Sequence, residues 1–455
     1  MAQETSGGNT GSGKKRYAIV GTGGRATMYA DALTRNFREH AQLVAFCDTS
    51  MTRMKWHNAR VIDRLKHPPV PMYLADKLEG GKFDQMVKET KPDAVIVTTV
   101  DCFHSDYIVR AMELGCDAIT EKPMTTDATK ANQIFDAIAR TGKKLRVAHN
   151  YRYATHATAM RELVINGAVG TPTQVDFSWV LDTRHGADYF RRWHREMDKS
   201  GGLLIHKASH HFDLVNWWIQ ARPKRVFASG GLKFYGKENA KKRGQEYAYT
   251  RYTGVPEAKG DPFALFLDSD PTLKALYLDA EMETGYIRDR NVFGEPITIY
   301  DTHALAVDYD NGVVMNYSLV AYSPWEGFRV AITGTKGRIE LYDKHGSHII
   351  AGQSDDELAR EQARGHAQEL KHFPMFGVPR VVEVPKASGG HGGGDPVLLE
   401  QIFSPTPPPD PFGRAASHLD GAAAVLIGAA GNLSIKSGQP VNIDDLLKLP
   451  AIAQG

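Results

Sequence analysis

Cysteine is scarce in this chain of 455 residues: Cys47, Cys102 and Cys116 are its only thiols, and no two share a paired spacing. That excludes a disulfide scaffold or a zinc ribbon and fits a reducing compartment with all three as small buried residues. No apolar run approaches the roughly 18 residues of a membrane span, and the N-terminus lacks the apolar core of a signal peptide. Charge of one sign is missing too. Lys and Arg number 55 against 53 Asp and Glu, a formal net charge of +2, too balanced for a nucleic-acid or anionic-membrane surface. The expected partner is therefore a small molecule, with neither nucleic acid nor membrane. Residues 1–14, rich in Gly, Ser and Thr, are expected to be disordered. A cytoplasmic location is expected, although that opening reads equally as the remnant of a removed export segment.

From Lys15 onward short apolar runs alternate with helical patterns: 17–20 then 26–36, 43–47 then 52–65, 94–98 then 105–114, 118–120 then a helix near Asp127, and finally 145–148. Such a series predicts a parallel sheet covered on both faces, an α/β domain over 15–150. After Asn150 a helix at 158–166 precedes runs at 173–179, 225–233, 302–309, 313–321, 328–333 and 338–341, with Asp310-Asn311-Gly312 turning a hairpin. Strands that follow strands predict an α+β domain over 151–455, an open and largely antiparallel sheet with helices on one face. Residues 235–299 and 351–411 are long, polar and turn-rich, as binding loops or lids are. Residues 414–435 are alanine-rich and helical, expected to pack back on the first domain.

Gly21-Thr22-Gly23-Gly24-Arg25-Ala26 follows the first strand and opens a helix, matching G-x-G-x-x-A. Gly21 permits the tight turn, Gly23 and Gly24 let backbone approach a pyrophosphate, and Ala26 allows close helix–strand packing. Asp48 ends the second strand, where a carboxylate accepts from ribose hydroxyls and repels a 2′-phosphate, so NAD is favoured over NADP. Arg25 and Arg53 are the counter-signs, since either guanidinium would suit a phosphate.

Lys122 leaves the strand 117–120 toward the crevice at the carboxyl end of the sheet, and Pro123 stiffens that exit. Thr98-Thr99 after the third predicted strand, His104 at the next turn, Glu121-Lys122-Pro123, and Gly201-Gly202 before His210-His211-Phe212-Asp213 are the residues on which the chain resembles the Gfo/Idh/MocA oxidoreductases, from about Lys15 to the C-terminus. The resemblance implies an N-terminal Rossmann dinucleotide-binding domain and a C-terminal open β-sheet domain for substrate binding and oligomerisation, as a homodimer or homotetramer. It implies oxidation or reduction of a sugar, cyclitol or polyol with NAD(P). It assigns the lysine of the family's E-K-P motif to Lys122 and the histidine of its D-x-x-x-H-x-x-D-like helix to His210. His206 stands where relatives carry Asp. The nucleotide is then expected at Gly21, Gly23, Gly24, Arg25, Ala26, Asp48, Thr98, Thr99, His104, Glu121, Lys122, Asn150 and Arg152. Substrate is expected at Lys122, Tyr153, Arg192, His194, His206 and His210.

Oxidising an alcohol requires hydride departure while a base takes the hydroxyl proton. A free lysine, with a pKa of about 10.4, is a poor base near neutrality, but burial and a positive nicotinamide favour its neutral form. His206 and His210 lie four apart, which predicts that they share one helix face and converge on a common ligand. They read as an acid–base pair, as a zinc-compatible H-x-x-x-H with no third ligand identifiable, or as hydrogen-bonded core residues. The first is favoured and no metal is expected. Asp182, Arg184, Lys207 and the alternating charges and aromatics of 182–199 read as a recognition loop. His391-Gly392-Gly393-Gly394-Asp395 reads as a flexible turn with two acid–base groups, able to close over the site or to act as a linker.

The leading expectation is an NAD-dependent oxidoreductase of a sugar, glycoside or polyol, with Lys122 and His210 handling the proton. One alternative keeps the cofactor: a glycoside hydrolase that transiently oxidises a ring hydroxyl, eliminates the aglycone, adds water and reduces the ketone. The other is a nucleotide-binding sensor without catalysis.

Overall fold

The computed structural model describes residues 13–346, 348–349, 357, 360, 364–386 and 389–450. Its first sheet holds β1 (Lys15–Val20), β2 (Ala41–Asp48), β3 (Met72–Leu74), β4 (Ala94–Val97), β5 (Asp117–Thr120) and β6 (Leu145–Val147), all parallel, in the order β3-β2-β1-β4-β5-β6. The central strands are apolar on both faces because helices cover both: Val95 and Val97 enter one core, Ile96 and Ile119 the other. The order reverses between β1 and β4, which opens a crevice beyond their carboxyl ends. Two elements were absent from the expected series, β3 and the helix Lys82–Thr90. β3 is only three residues long, and the helix carries its buried Phe83, Met86 and Val87 amid polar neighbours.

The second sheet has nine strands in the order β14-β13-β12-β11-β7-β10-β9-β8-β15. β7 (Pro172–Asp182), β8 (Pro223–Gly231), β9 (Thr302–Tyr309), β10 (Val314–Ser323), β11 (Gly327–Gly334) and β12 (Gly337–Lys344) answer to the six predicted runs. β13 (Ala367–Pro374), β14 (Arg380–Val382) and β15 (Val441–Asn442) add its edges. Neighbours are antiparallel except β7 and β10. At the β9–β10 hairpin Gly312 takes φ 85° and Asn311 accepts from the Val313 amide at 3.1 Å.

The helix His418–Ser437 joins the two layers. Ser417 and Asp420 form its capping box. A Cβ on Gly421 would fall 2.9 Å from Met124 Cβ, and one on Gly428 would fall 2.6 Å from the Leu204 carbonyl oxygen. The helix thus packs on both domains and not on the first alone, because its small face is continuous through Gly421, Gly428 and Gly431. Residues 182–199 are not the expected loop; after Asp182 they wind into the helical turns His185–Arg191, Trp193–Arg195 and Met197–Ser200, which bury Tyr189, Phe190 and His194. Most of the expected disordered opening and part of 351–411 lie outside the described residues. No helix among the described residues is long and apolar enough to cross a membrane.

Candidate active site

The crevice is a cavity of about 750 Å³, walled by the ends of β1, β2, β4 and β5, by residues 185–206 and by Tyr277, Thr284 and Tyr286 of the segment 235–299. At its floor Gly21 has φ 85°, and a Cβ there would lie 2.6 Å from the Thr99 amide nitrogen, so only glycine lets β1 turn beside β4. Thr98 Oγ1 donates to the Gly21 carbonyl at 2.5 Å. The carboxylate of Asp48 accepts from the Thr22 amide, from Thr22 Oγ1 at 2.9 Å and from the Ser50 amide at 2.8 Å, which fixes the turn against the end of β2.

Of the two arginines that weighed toward a 2′-phosphate, Arg25 is engaged elsewhere and Arg53 only in part. Arg25 Nε pairs with Glu121 at 2.6 Å and its guanidinium reaches Asp395 at 3.3 Å. Arg53 Nε donates to the Leu276 carbonyl at 2.9 Å, with Asp48 at 3.9 Å. Buried Arg53 Nη2, Asn150 Oδ1 and His194 Nδ1 have no partner among the described residues, although all three side chains belong to the cavity wall. Such unmet donors and acceptors at both ends of a cavity suit a ligand carrying phosphates and hydroxyls, and the glycine turn suits the pyrophosphate of a dinucleotide.

Beyond the turn lies the reactive end. Lys122 Nζ donates to the His206 carbonyl at 3.3 Å, and His206 Nδ1 meets Asp101 Oδ2 at 2.5 Å. His104 bridges the Pro123 carbonyl (2.8 Å) and the Thr99 carbonyl (3.2 Å), which fastens the strand exit that presents Lys122. Burial lowers the Lys122 pKa from 10.5, against the pull of Asp101 and Glu121. Burial, then Lys122 and Arg192, hold His206 well below its usual range, and burial raises Asp101 well above the carboxylate range. Burial would raise Glu121 too, but Arg25 keeps it low, so it stays an anion beside the amine. The site therefore holds a neutral imidazole and a readily neutralised amine side by side, the states a proton acceptor needs near neutral pH.

The cavity wall brings together Gly21, Gly23, Gly24, Arg25, Asp48, Thr98, Thr99, His104, Glu121, Lys122, Asn150, Arg192, His194 and His206. Ala26, Arg152, Tyr153 and His210 are not in it. Ala26 packs in the core as the first residue of its helix. Arg152 forms a buried two-bond pair with Asp213 (2.6 and 2.7 Å), and Tyr153 accepts from Arg146 at 2.7 Å. His210 stands behind the wall, its ring 4.6 Å from Tyr151 and 6.0 Å from His391. The helix expected to carry both histidines breaks at Lys207-Ala208, with His206 ending Leu203–His206 and His210 in the first turn of Ser209–Ile219. The two histidines therefore sit on successive helices, and among the described residues no cluster of His, Cys, Asp and Glu has a metal-holding arrangement.

Sequence reasoning missed Asp101, which from the first domain meets His206 Nδ1. Its signal was its place just after Thr98-Thr99. It also missed Tyr189, whose ring lies 5.5 Å from His206, and Tyr277, whose hydroxyl accepts from the Gly24 amide at 3.1 Å. His391 does line the cavity, at φ 53°, with Nδ1 2.9 Å from Asp395. Asn150 and Arg25 hold the other side of that carboxylate.

Residues 15–149 match the model described as an oxidoreductase family NAD-binding Rossmann fold, and 161–443 match the oxidoreductase family C-terminal alpha/beta domain, both under the Gfo/Idh/MocA name. A Bacillus subtilis (strain 168) protein provisionally named oxidoreductase YteT is 34% identical over 444 residues, 96% of this chain and 99% of that protein. D-glucoside 3-dehydrogenase of Escherichia coli (strain K12) is 30% identical over 163 residues, 34% of this chain and 40% of that enzyme. The WlbA dehydrogenase of Bordetella pertussis, solved with NADH and UDP-GlcNAcA, is similar in fold: TM-score 0.62 at 15% identity over 96% of this chain and 99% of that one.

Proposed function

The chain belongs to the Gfo/Idh/MocA oxidoreductase family, and from that premise we propose that it oxidises a hydroxyl of a sugar, glycoside or related polyol with NAD, Lys122 and His206 taking up the hydroxyl proton. The observation that carries this reading is the meeting of Lys122, His206 and Asp101 in one cavity with the nucleotide turn. Bound at that turn, NAD supplies the hydride acceptor. With Nδ1 held by Asp101, His206 is left with Nε2 for the substrate hydroxyl, and Asp101 fixes the ring's orientation. Lys122, whose pKa burial lowers, shares that proton in its amine form and returns one from its ammonium form in the reverse direction. Arg192, anchored to Asp188 at 3.1 Å, and His194 are placed to orient further hydroxyls. Asp48 at the end of β2, with Arg25 paired to Glu121 and Asp395, supports NAD over NADP.

The test is NADH absorbance with purified protein, NAD and a panel of sugars, methyl glycosides and cyclitols. NADH formed with at least one substrate, and lost in K122A, is expected; none across the panel counts against the reading. The pair His391–Asp395 favours a second reading, the hydrolase that oxidises its substrate transiently, because C–H abstraction needs a base beyond the one that takes the hydroxyl proton. Aglycone release from nitrophenyl glycosides without accumulating NADH would select it.

A further inference from the structure

We propose that residues 271–286, contributed by the second domain, form a latched strap that completes the pyrophosphate end of the dinucleotide site and must be released for the nucleotide to enter or leave. The inference rests on the nucleotide site and not on which substrate is oxidised.

The strap begins at Asp270, which caps Pro271–Leu273 at the Leu273 amide (2.8 Å), runs through a π-turn at Lys274–Leu278, and ends at Gly285 in the left-handed region. It touches the first domain at three points. Tyr277 accepts from the Gly24 amide, an amide of the turn that cradles a pyrophosphate in this fold. Since the phenol accepts there, its own proton is left to donate to an anionic oxygen in the cavity it lines. Arg53 donates to the Leu276 carbonyl, and its guanidinium carbon lies 5.6 Å from the Tyr277 ring and 5.9 Å from the Tyr286 ring. The third contact is the latch. Glu283 accepts from Ser50 Oγ at 2.5 Å, from the Thr52 amide at 3.1 Å and from Thr52 Oγ1 at 2.6 Å, capping the start of the helix Met51–Asp63.

The root beside the latch is fixed. Arg251 bridges Glu281 (2.7 Å), two residues before Glu283, and buried Asp289 (2.7 Å), so the strap's C-terminal end stays tied to the second domain when Glu283 lets go and the part before Glu281 is freed to move. Tyr277 and Glu283 thus have different tasks: one adds a hydrogen bond to the bound nucleotide, the other sets how often the cleft opens.

Protein fluorescence titrated with NADH, and stopped-flow displacement of NADH by excess NAD, separate the two. Glu283→Gln, which keeps the shape and removes the charge, is expected to raise both association and dissociation rates several-fold with Kd changed less than threefold. T52V, on the other side of the latch, is expected to act in the same direction. Y277F is expected to raise Kd about tenfold, chiefly through dissociation, the loss of about one hydrogen bond. Rates within twofold of wild type in both E283Q and T52V overturn the latch. An unchanged Kd in Y277F overturns the pyrophosphate contact. Loss of sugar oxidation with wild-type nucleotide kinetics would bear on the proposed reaction and not on the strap.

Discussion

His206 Nδ1 lies 2.5 Å from Asp101 Oδ2, so an aspartyl side chain from the turn after β4 in the first domain orients an imidazole from the second. Neither residue alone makes the acceptor. Asp101→Asn should lower kcat by about a hundredfold, in the range of lost acid–base assistance, while leaving NADH affinity within threefold. His206→Ala should match or exceed that loss and His210→Ala should fall less than tenfold, because His210 stands behind the wall. A larger loss in H210A than in H206A would return the proton to His210.

Lys122→Ala should cost about a thousandfold in kcat. Arg is not a substitute, since a guanidinium does not give up its proton. The form that accepts a proton is the neutral amine, and burial lowers its pKa from 10.5, so kcat/KM for oxidation should rise with pH through a value below that one. The rising limb should vanish in K122A, and a limb unchanged in K122A would assign it to another group.

Arg152 joins Asp213 and Asp420 in a buried cluster. Removing one member leaves uncompensated buried charge, so Arg152→Ala should destabilise by about 3–5 kcal/mol in denaturant unfolding. Burial opposes the Asp420 anion, but Arg152 and Ser417 hold its pKa at about 2. A carboxyl lowered on folding contributes stability that is full above its ordinary pKa of about 3.8 and is lost as pH falls toward 2. R152A should flatten that acid limb as well as lower the plateau.

Asp48→Ala should weaken NADH binding about tenfold, through loss of the turn's acceptor and of the ribose contact, and should narrow the NAD-over-NADP preference by a similar factor. Parallel titrations with NADH and NADPH check it. An unaltered ratio would place the discrimination elsewhere.

The legible features were those whose cause is local. Gly21 and Asp48 announce themselves because a tight turn and a strand end have near-neighbour signatures, and the β9–β10 hairpin because Asn311-Gly312 does. Asp101 was not legible as a partner of His206, since 105 residues separate them and only the crossing of the two domains brings them together. Tyr277, 253 residues from Gly24, hid in a segment whose polarity marked it as a lid without saying what it would touch. The helix period drawn through His206 and His210 failed at Lys207-Ala208, where the chain turns between two helices. β14 is an edge strand and β13 its neighbour, and both are weakly buried, so their alternation was faint.

The glycine face of His418–Ser437 has a consequence for biosynthesis. As the chain leaves the ribosome the parallel sheet can form early, yet Met124, two residues past the reactive amine, gains its close approach to Gly421, and Leu204 its close approach to Gly428, only when the end of the chain emerges. The lysine is made early, but the His206 carbonyl that its amine meets is made 84 residues later, so a nascent chain holds a nucleotide turn before it holds that contact.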